Sequence, residues 1–255
     1  MSLSRPRLRP LWIAGRFLTR FPFPDPGAVQ PADLGQAVPW YPMIGAVLGL
    51  VIGVAALLLG PALLPGPSGV AAILVLALWV WATGGLHLDG LADTADAWVG
   101  GLGSRERTLA IMKDPTSGPA GVTALVLVII AKFTALEALI GAGGSDLLLW
   151  VPVLARAQLP LLILTTPYAR REGMGSDPAR TAAADACRWS IGLAAGAAAL
   201  VLGWTGILLV VAAAVLFWSV RRALMRRLGG FTGDTAGALV ELTEVLLILL
   251  LAMVP

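Results

Sequence analysis

Long apolar runs separated by short polar stretches set the plan of this chain. Runs close to the ~20 residues needed to cross a hydrocarbon core fall at about 43–63, 69–86, 120–140, 147–166, 186–203, 206–221 and 237–253. Their apolar positions are continuous and do not alternate, which predicts helices and argues against a β-barrel. Residues 1–24 read differently. Arg5, Arg7, Arg9, Arg16 and Arg20 are interspersed with Leu11, Trp12, Ile13, Phe17 and Leu18. That pattern predicts a basic amphipathic helix in the membrane interface, ended by Phe21-Pro22-Phe23-Pro24 because proline cannot continue a helix. Residues 190–220 could form one long helix or two short ones. Gly203-Trp204-Thr205-Gly206 near the middle predicts a tight turn, hence two. In the first span Gly45, Gly49 and Gly53 recur every four residues, a spacing that lets a second helix approach closely.

Charge sharpens the picture. Apolar residues make up 58% of the 255 positions and charged residues 13%, about half the usual soluble share. The expectation is an all-α, polytopic helical membrane protein, a single integral domain over residues 1–255 with about seven transmembrane helices plus the interfacial arm. All basic residues except Lys132 and Arg156 lie in the arm, in the segments after spans two and four, and in the cluster Arg221, Arg222, Arg226 and Arg227. Seven spans put all these segments on one side, which the positive-inside rule makes the cytoplasm. The amino terminus is then cytoplasmic and the carboxyl terminus outside. Arginine clusters here favour lipid headgroups as neighbours, not nucleic acid. The lone Cys187 excludes an intrachain disulfide and a cysteine-based zinc site. The amino-terminal residues lack the apolar core of a cleavable signal peptide.

Against this background, Asp89, Asp93 and Asp96 stand out. On a helix their spacing places three carboxylates on one face. Like charges repel there unless a cation sits among them, and no basic residue lies within seven positions. A hard divalent ion, commonly Mg2+ beside phosphates, is the natural partner. His87, the only histidine, is a candidate general base. Lys113 with Asp114, and Arg170 with Arg171, are candidate phosphate contacts. Asp234, Glu241 and Glu244 form a second acidic series, the last two inside an apolar span. Such costly groups face a partner or a cavity, with Lys132, Glu137 and Arg156 as the available partners. Gly230, Gly233 and Gly237 would let backbone approach a ligand. No P-loop, Rossmann fingerprint, Ser-His-Asp order or zinc signature is present.

The stretch from Gly84 to Asp96, Gly-Gly-Leu-His-Leu-Asp-Gly-Leu-Ala-Asp-Thr-Ala-Asp, resembles the signature of the cobalamin synthase family, the adenosylcobinamide-GDP ribazoletransferases. Further family-like stretches follow in order: Phe17-Leu18-Thr19-Arg20-Phe21-Pro22, Pro42-Met43-Ile44-Gly45, Ile111-Met112-Lys113-Asp114, Tyr168-Ala169-Arg170, and Thr232-Gly233-Asp234-Thr235 before Glu241 and Glu244. Pro115 departs from the serine more usual there. The resemblance implies a Mg2+-dependent enzyme of the bacterial inner membrane with a cytoplasmic active face. Its reaction joins adenosylcobinamide-GDP to α-ribazole or its 5'-phosphate and releases GMP. For that reaction the residues themselves suggest Asp89, Asp93, Asp96 and Asp234 as metal residues, and a carboxylate of the triad such as Asp89, or His87, as proton acceptor. Lys113, Asp114, Arg156, Arg170, Arg171, Thr232, Gly233, Glu241 and Glu244 become substrate contacts. Membrane lipid, a second copy of the chain and other cobalamin-assembly enzymes are the expected neighbours. Two rival readings remain: a CDP-alcohol phosphotransferase-like enzyme acting on a membrane pyrophosphate, and an ion-coupled transporter using Glu137, Glu241 and Glu244. The dense acidic motif at a span end, and the lack of an evident inverted repeat, count against the transporter.

Overall fold

The computed structural model describes residues 8–61, 63–170 and 176–254. Its α-helices are α1 (Arg9–Leu18), α2 (Pro31–Ala37), α3 (Tyr41–Leu59), α4 (Ser68–Thr83), α5 (Leu86–Gly100) and α6 (Arg105–Ile111), then α7 (Pro119–Gly141), α8 (Trp150–Thr165), α9 (Ser176–Thr181), α10 (Ala184–Leu202), α11 (Trp204–Leu228) and α12 (Gly233–Met253). Among the described residues there is no strand; Tyr168 and Phe231 form one isolated parallel bridge. Six helical segments are long and apolar enough to cross a membrane, and α4 with α5 makes a seventh if that bent pair is one span. The protein is an all-helical, multi-pass membrane protein.

The core lies where α3, α4, α7, α8 and α12 meet, around Leu48, Ile52, Trp79, Leu136, Leu154 and Leu247. Close approach sets the α3–α8 contact. A Cβ on Gly45 would sit 2.4 Å from the Pro152 carbonyl oxygen, and one on Gly49 2.4 Å from that of Leu149. The four-residue glycine spacing is therefore a backbone-on-backbone seam. Gly203, at φ 58° and ψ −129°, breaks the apolar stretch into α10 and α11, as expected. Helix α11 then runs on through Arg221–Arg227 instead of ending before them. Phe217, Leu224 and Leu228 keep one buried face while the guanidinium groups reach outward.

The amino-terminal arm does more than lie on a surface. Ile13, Ala14 and Leu18 of α1 are buried against Val38, Tyr41 and Ile44. Arg9 pairs with Asp33 of α2 at 2.7 Å and donates to the carbonyls of Pro26 and Ala28. The short helices α2 and α6 fall in stretches whose polar composition gave no helical period. Each is capped locally: Gln30 and Asp33 form a capping box on α2, and the Ser104 hydroxyl accepts from the Arg107 N–H on α6.

Candidate active site

Two consecutive glycines create the site. Gly84 (φ 65°) and Gly85 (φ 71°) both take the left-handed conformation that side-chain-bearing residues resist. The chain turns there, and α5 leaves α4 at 86°. Helix α5 then packs along α12 in the opposite direction, so that Gly90 meets Asp234 and Gly237 meets His87. A Cβ at Gly90 would stand 2.7 Å from the Asp234 carbonyl oxygen. This contact brings Asp234, 138 or more positions away from the triad in sequence by the numbering, to the face carrying Asp89 and Asp93. The Asp93 carboxyl is pushed up to about 6, first by burial and then by repulsion from Asp89, Asp234 and Asp96, with Arg170 acting against them.

Asp96 has a separate structural task. Its two oxygens accept the backbone N–H groups of Gly118 (2.7 Å) and Gly121 (2.9 Å), the N-cap and third residue of α7. It thus closes the exposed amino end of that helix from a distance. Both glycines are pressed against this carboxylate.

The other motifs converge on the amino end of α12. Thr232 is the N-cap: its hydroxyl accepts from the Thr235 N–H, and the Thr235 hydroxyl accepts from the Thr232 N–H. The Thr232 hydroxyl also contacts Met112 Sδ at 3.7 Å, which seats the α6–α7 loop beside the cap. Lys113 is exposed on that loop. Asp114 accepts the Thr116 hydroxyl and N–H, which hold its carboxyl below the usual range. Ala169 N–H donates to Phe231 and Phe231 N–H to Pro167, pinning the Tyr168–Arg170 segment to the α12 entry. Arg105 braces both segments of this join through the carbonyls of Leu228 and Ala169. Arg170 is thereby brought to Asp234, with an ion pair of 2.9 Å, and its Nε has no partner among the described residues. Arg171 lies outside the described residues.

Deeper along α12 is a buried ionic cluster. Lys132 of α7 donates to Glu241 and Glu244, each at 2.5 Å, and Arg156 of α8 donates to Glu244. The Trp79 ring lies 4.8 Å below the Lys132 ammonium. Arg156 and Glu244 are fully buried, so the structure seats these expected substrate contacts in a network linking α7, α8 and α12. Glu137 lies instead against Gly69 of α4. His87 is 3% exposed, beside this cluster. Burial, and then Arg156, hold its imidazole well below the usual range.

A cavity opens above the carboxylates. Asp89, Asp234 and His87 line one part, and Phe17, Tyr41 and Ile163 belong to its apolar walls. Sequence patterning did not mark these wall residues, because they come from α1, α3 and α8 and each looks like ordinary core. Among the described residues, no three of the His, Cys, Asp and Glu side chains stand close enough to hold a metal ion unaided. Mg2+ does not require such a cage: it takes one or two carboxylates and completes its shell with water and substrate phosphates. The all-oxygen donor set and the mutual repulsion at Asp93 fit that ion.

The cobalamin-5-phosphate synthase family model matches residues 10–252. The chain belongs to that family. Curated relatives agree over nearly the full length. The adenosylcobinamide-GDP ribazoletransferase of Pseudomonas paraeruginosa (strain DSM 24068 / PA7) is 52% identical over 250 residues, covering 98% of this chain and 100% of the relative. The proteins of the same name from Ectopseudomonas mendocina (strain ymp) and Pseudomonas aeruginosa (strain ATCC 15692) are each 50% identical, over 241 and 249 residues. The first covers 94% of this chain and 97% of the relative, the second 98% and 100%. No solved structure matches the chain. In this member of the cobalamin synthase family, then, the acidic signature and the Thr-Gly-Asp cap belong to one helix pair, α5 and α12, and the buried cluster ties α12 to α7 and α8.

Proposed function

We propose that this protein joins adenosylcobinamide-GDP to α-ribazole or its 5'-phosphate, releasing GMP, at the cytoplasmic face of the bacterial inner membrane. The observation that carries the reading is the α5–α12 contact, which sets Asp234, with its Arg170 partner, against the face of Asp89 and Asp93, beside a largely apolar cavity lined by Asp89 and Asp234. The names of the relatives supply the substrate. A ribose hydroxyl oxygen forms a new bond to the phosphorus attached to the cobinamide. The bond from that phosphorus to the oxygen bridging to GMP breaks, and the hydroxyl proton leaves to a base.

One or two of the carboxylates Asp89, Asp93 and Asp234 would hold Mg2+, with water and substrate phosphates completing its shell and Asp96 fixing the helix behind them. When bound, the ion neutralises pyrophosphate charge and stabilises the departing GMP. Arg170 and Lys113 bind phosphate oxygens, with Arg171 next to them in sequence. At Gly233 an added Cβ would meet nothing within 4 Å, which leaves the amino end of α12 open to the same oxygens. Asp89 accepts the hydroxyl proton. His87, flanked by Lys132 and Arg156, is a poor acceptor and serves to position α5. Asp114 shapes the Lys113 loop, and Thr232, Arg156, Glu241 and Glu244 hold α12 in place. Positioning and electrostatics then carry the transfer. The distribution of basic segments supports a cytoplasmic amino terminus and an outer carboxyl terminus.

The test is GMP release by the purified protein in lipid. Release that requires both organic substrates and Mg2+ supports the reading. Absence of release from folded protein, or equal release without the ribazole, would refute it.

A further inference from the structure

The cavity beside Asp89 and Asp234 has chemistry of its own. Its walls are contributed by Phe17 and Leu18 of α1, Tyr41 of α3, Leu162 and Ile163 of α8, and Phe231. The Phe17 and Tyr41 rings stack, with centroids 6.1 Å apart and planes 25° from parallel. Beyond the carboxylates and His87, whose Nδ1 has no hydrogen-bond partner among the described residues, Tyr41 carries the one hydrogen-bonding side-chain group of the described lining residues. Among the described residues the cavity is thus an aromatic and aliphatic slot with carboxylates and an imidazole at one end and a tyrosine on its side.

Three organic parts must be seated in the proposed reaction, and they differ in polarity. A guanine presents an exocyclic amine, a carbonyl and ring nitrogens along its edges. Burying such groups without partners is costly, and with Asp89 and Asp234 turned to the ion and Arg170, the described walls leave only His87 and Tyr41 for them. A corrinoid carries amide arms around its rim and meets the same objection. The base of α-ribazole is a flat apolar bicycle with one free ring nitrogen, which needs one donor. Its ribose must also reach the phosphorus held near Asp89 and Asp234. A base in the slot, with its sugar toward the carboxylates, meets both needs.

We infer that this slot binds the heteroaromatic base of the acceptor nucleoside, with Phe17 and Ile163 setting the ring size accepted and the Tyr41 hydroxyl donating to the ring nitrogen. The inference rests on the transferase reading above. Phe17 and Tyr41 act here as specificity residues and take no part in bond making.

The test separates acceptor from donor in steady-state kinetics with protein in lipid. Ile163→Phe narrows the slot. It raises KM for α-ribazole by about tenfold or more, the scale of a misfit of one or two carbons in an apolar pocket, and leaves KM for adenosylcobinamide-GDP within about twofold. Tyr41→Phe is nearly isosteric and keeps the ring stack. It abolishes the preference for α-ribazole over the matching indole riboside, which lacks the free ring nitrogen. A rise in donor KM with acceptor KM unchanged places another part of the substrates in the slot and overturns the inference. If Ile163→Phe does not fold, Tyr41→Phe decides alone: an intact preference for the ring nitrogen overturns it. Failure of the unsubstituted protein to release GMP is a different outcome and strikes the transferase reading itself.

Discussion

Gly90→Ala probes the α5–α12 seam directly. The new Cβ would lie 2.7 Å from the Asp234 carbonyl oxygen and 3.1 Å from its Cα, both backbone atoms that cannot rotate away. To reach an ordinary 3.4 Å contact, the carbonyl must retreat by about 0.7 Å. That displacement separates the Asp89–Asp93 face from Asp234 and Arg170. Overpacking of this kind costs about 1–3 kcal/mol of stability, and a misplacement near 1 Å costs on the order of 100-fold in rate. The assay is GMP release in lipid beside thermal unfolding of the same preparation. Gly192→Ala is the control: Gly192 lies in α10 with nothing within 4 Å of the added carbon, so the change should be neutral or stabilise by up to about 1 kcal/mol. If Gly90→Ala keeps full turnover and full stability, the close seam does not set the carboxylate geometry.

Asp89→Ala should abolish GMP release while the folded transition in detergent persists; near-normal turnover sinks the assignment of Asp89. Chelating Mg2+ should stop release reversibly, and unaltered turnover after exhaustive chelation removes the ion from the reaction. Asp96→Ala strips two backbone N–H groups of their acceptor and should destabilise by about 1–3 kcal/mol, read as a lowered melting temperature; an unchanged melting temperature would show that α7 does not need this cap. Lys132→Met leaves Glu241 without its cation and should destabilise by about 3–5 kcal/mol. Adding Glu241→Gln should recover part of that loss, and strictly additive losses would deny the pairing.

Most of the helical plan was legible because membrane-crossing runs announce themselves by continuous apolar composition. The glycine seam of α3 and the break at Gly203 followed from local backbone chemistry. Lys132 and Arg156 were expected as partners of Glu241 and Glu244, since an ionisable group in a span must pair with what is there. The sequence could not show the 86° turn at Gly84–Gly85, because a span end and a bend look alike in composition. Nor could it show that Asp96 serves α7, since its partners are backbone amides more than twenty positions away. The Arg170–Asp234 pair depends on the Tyr168–Phe231 bridge, a long-range contact with no periodic signal. The apolar slot is assembled from segments that each resemble core by themselves.

The two left-handed glycines also act on mechanics. Helix α4 has 16 residues, about 24 Å at 1.5 Å per residue, so it is short for the ~30 Å hydrocarbon core. A thicker or thinner bilayer must tilt or shift it. Helix α5 is packed against α12 and α7, and a hydrogen-bonded turn at Gly84–Gly85, not a continuous helix, joins it to α4. The position of the carboxylate face is thus set by the helices packed on α5, and not by the length of the span before it.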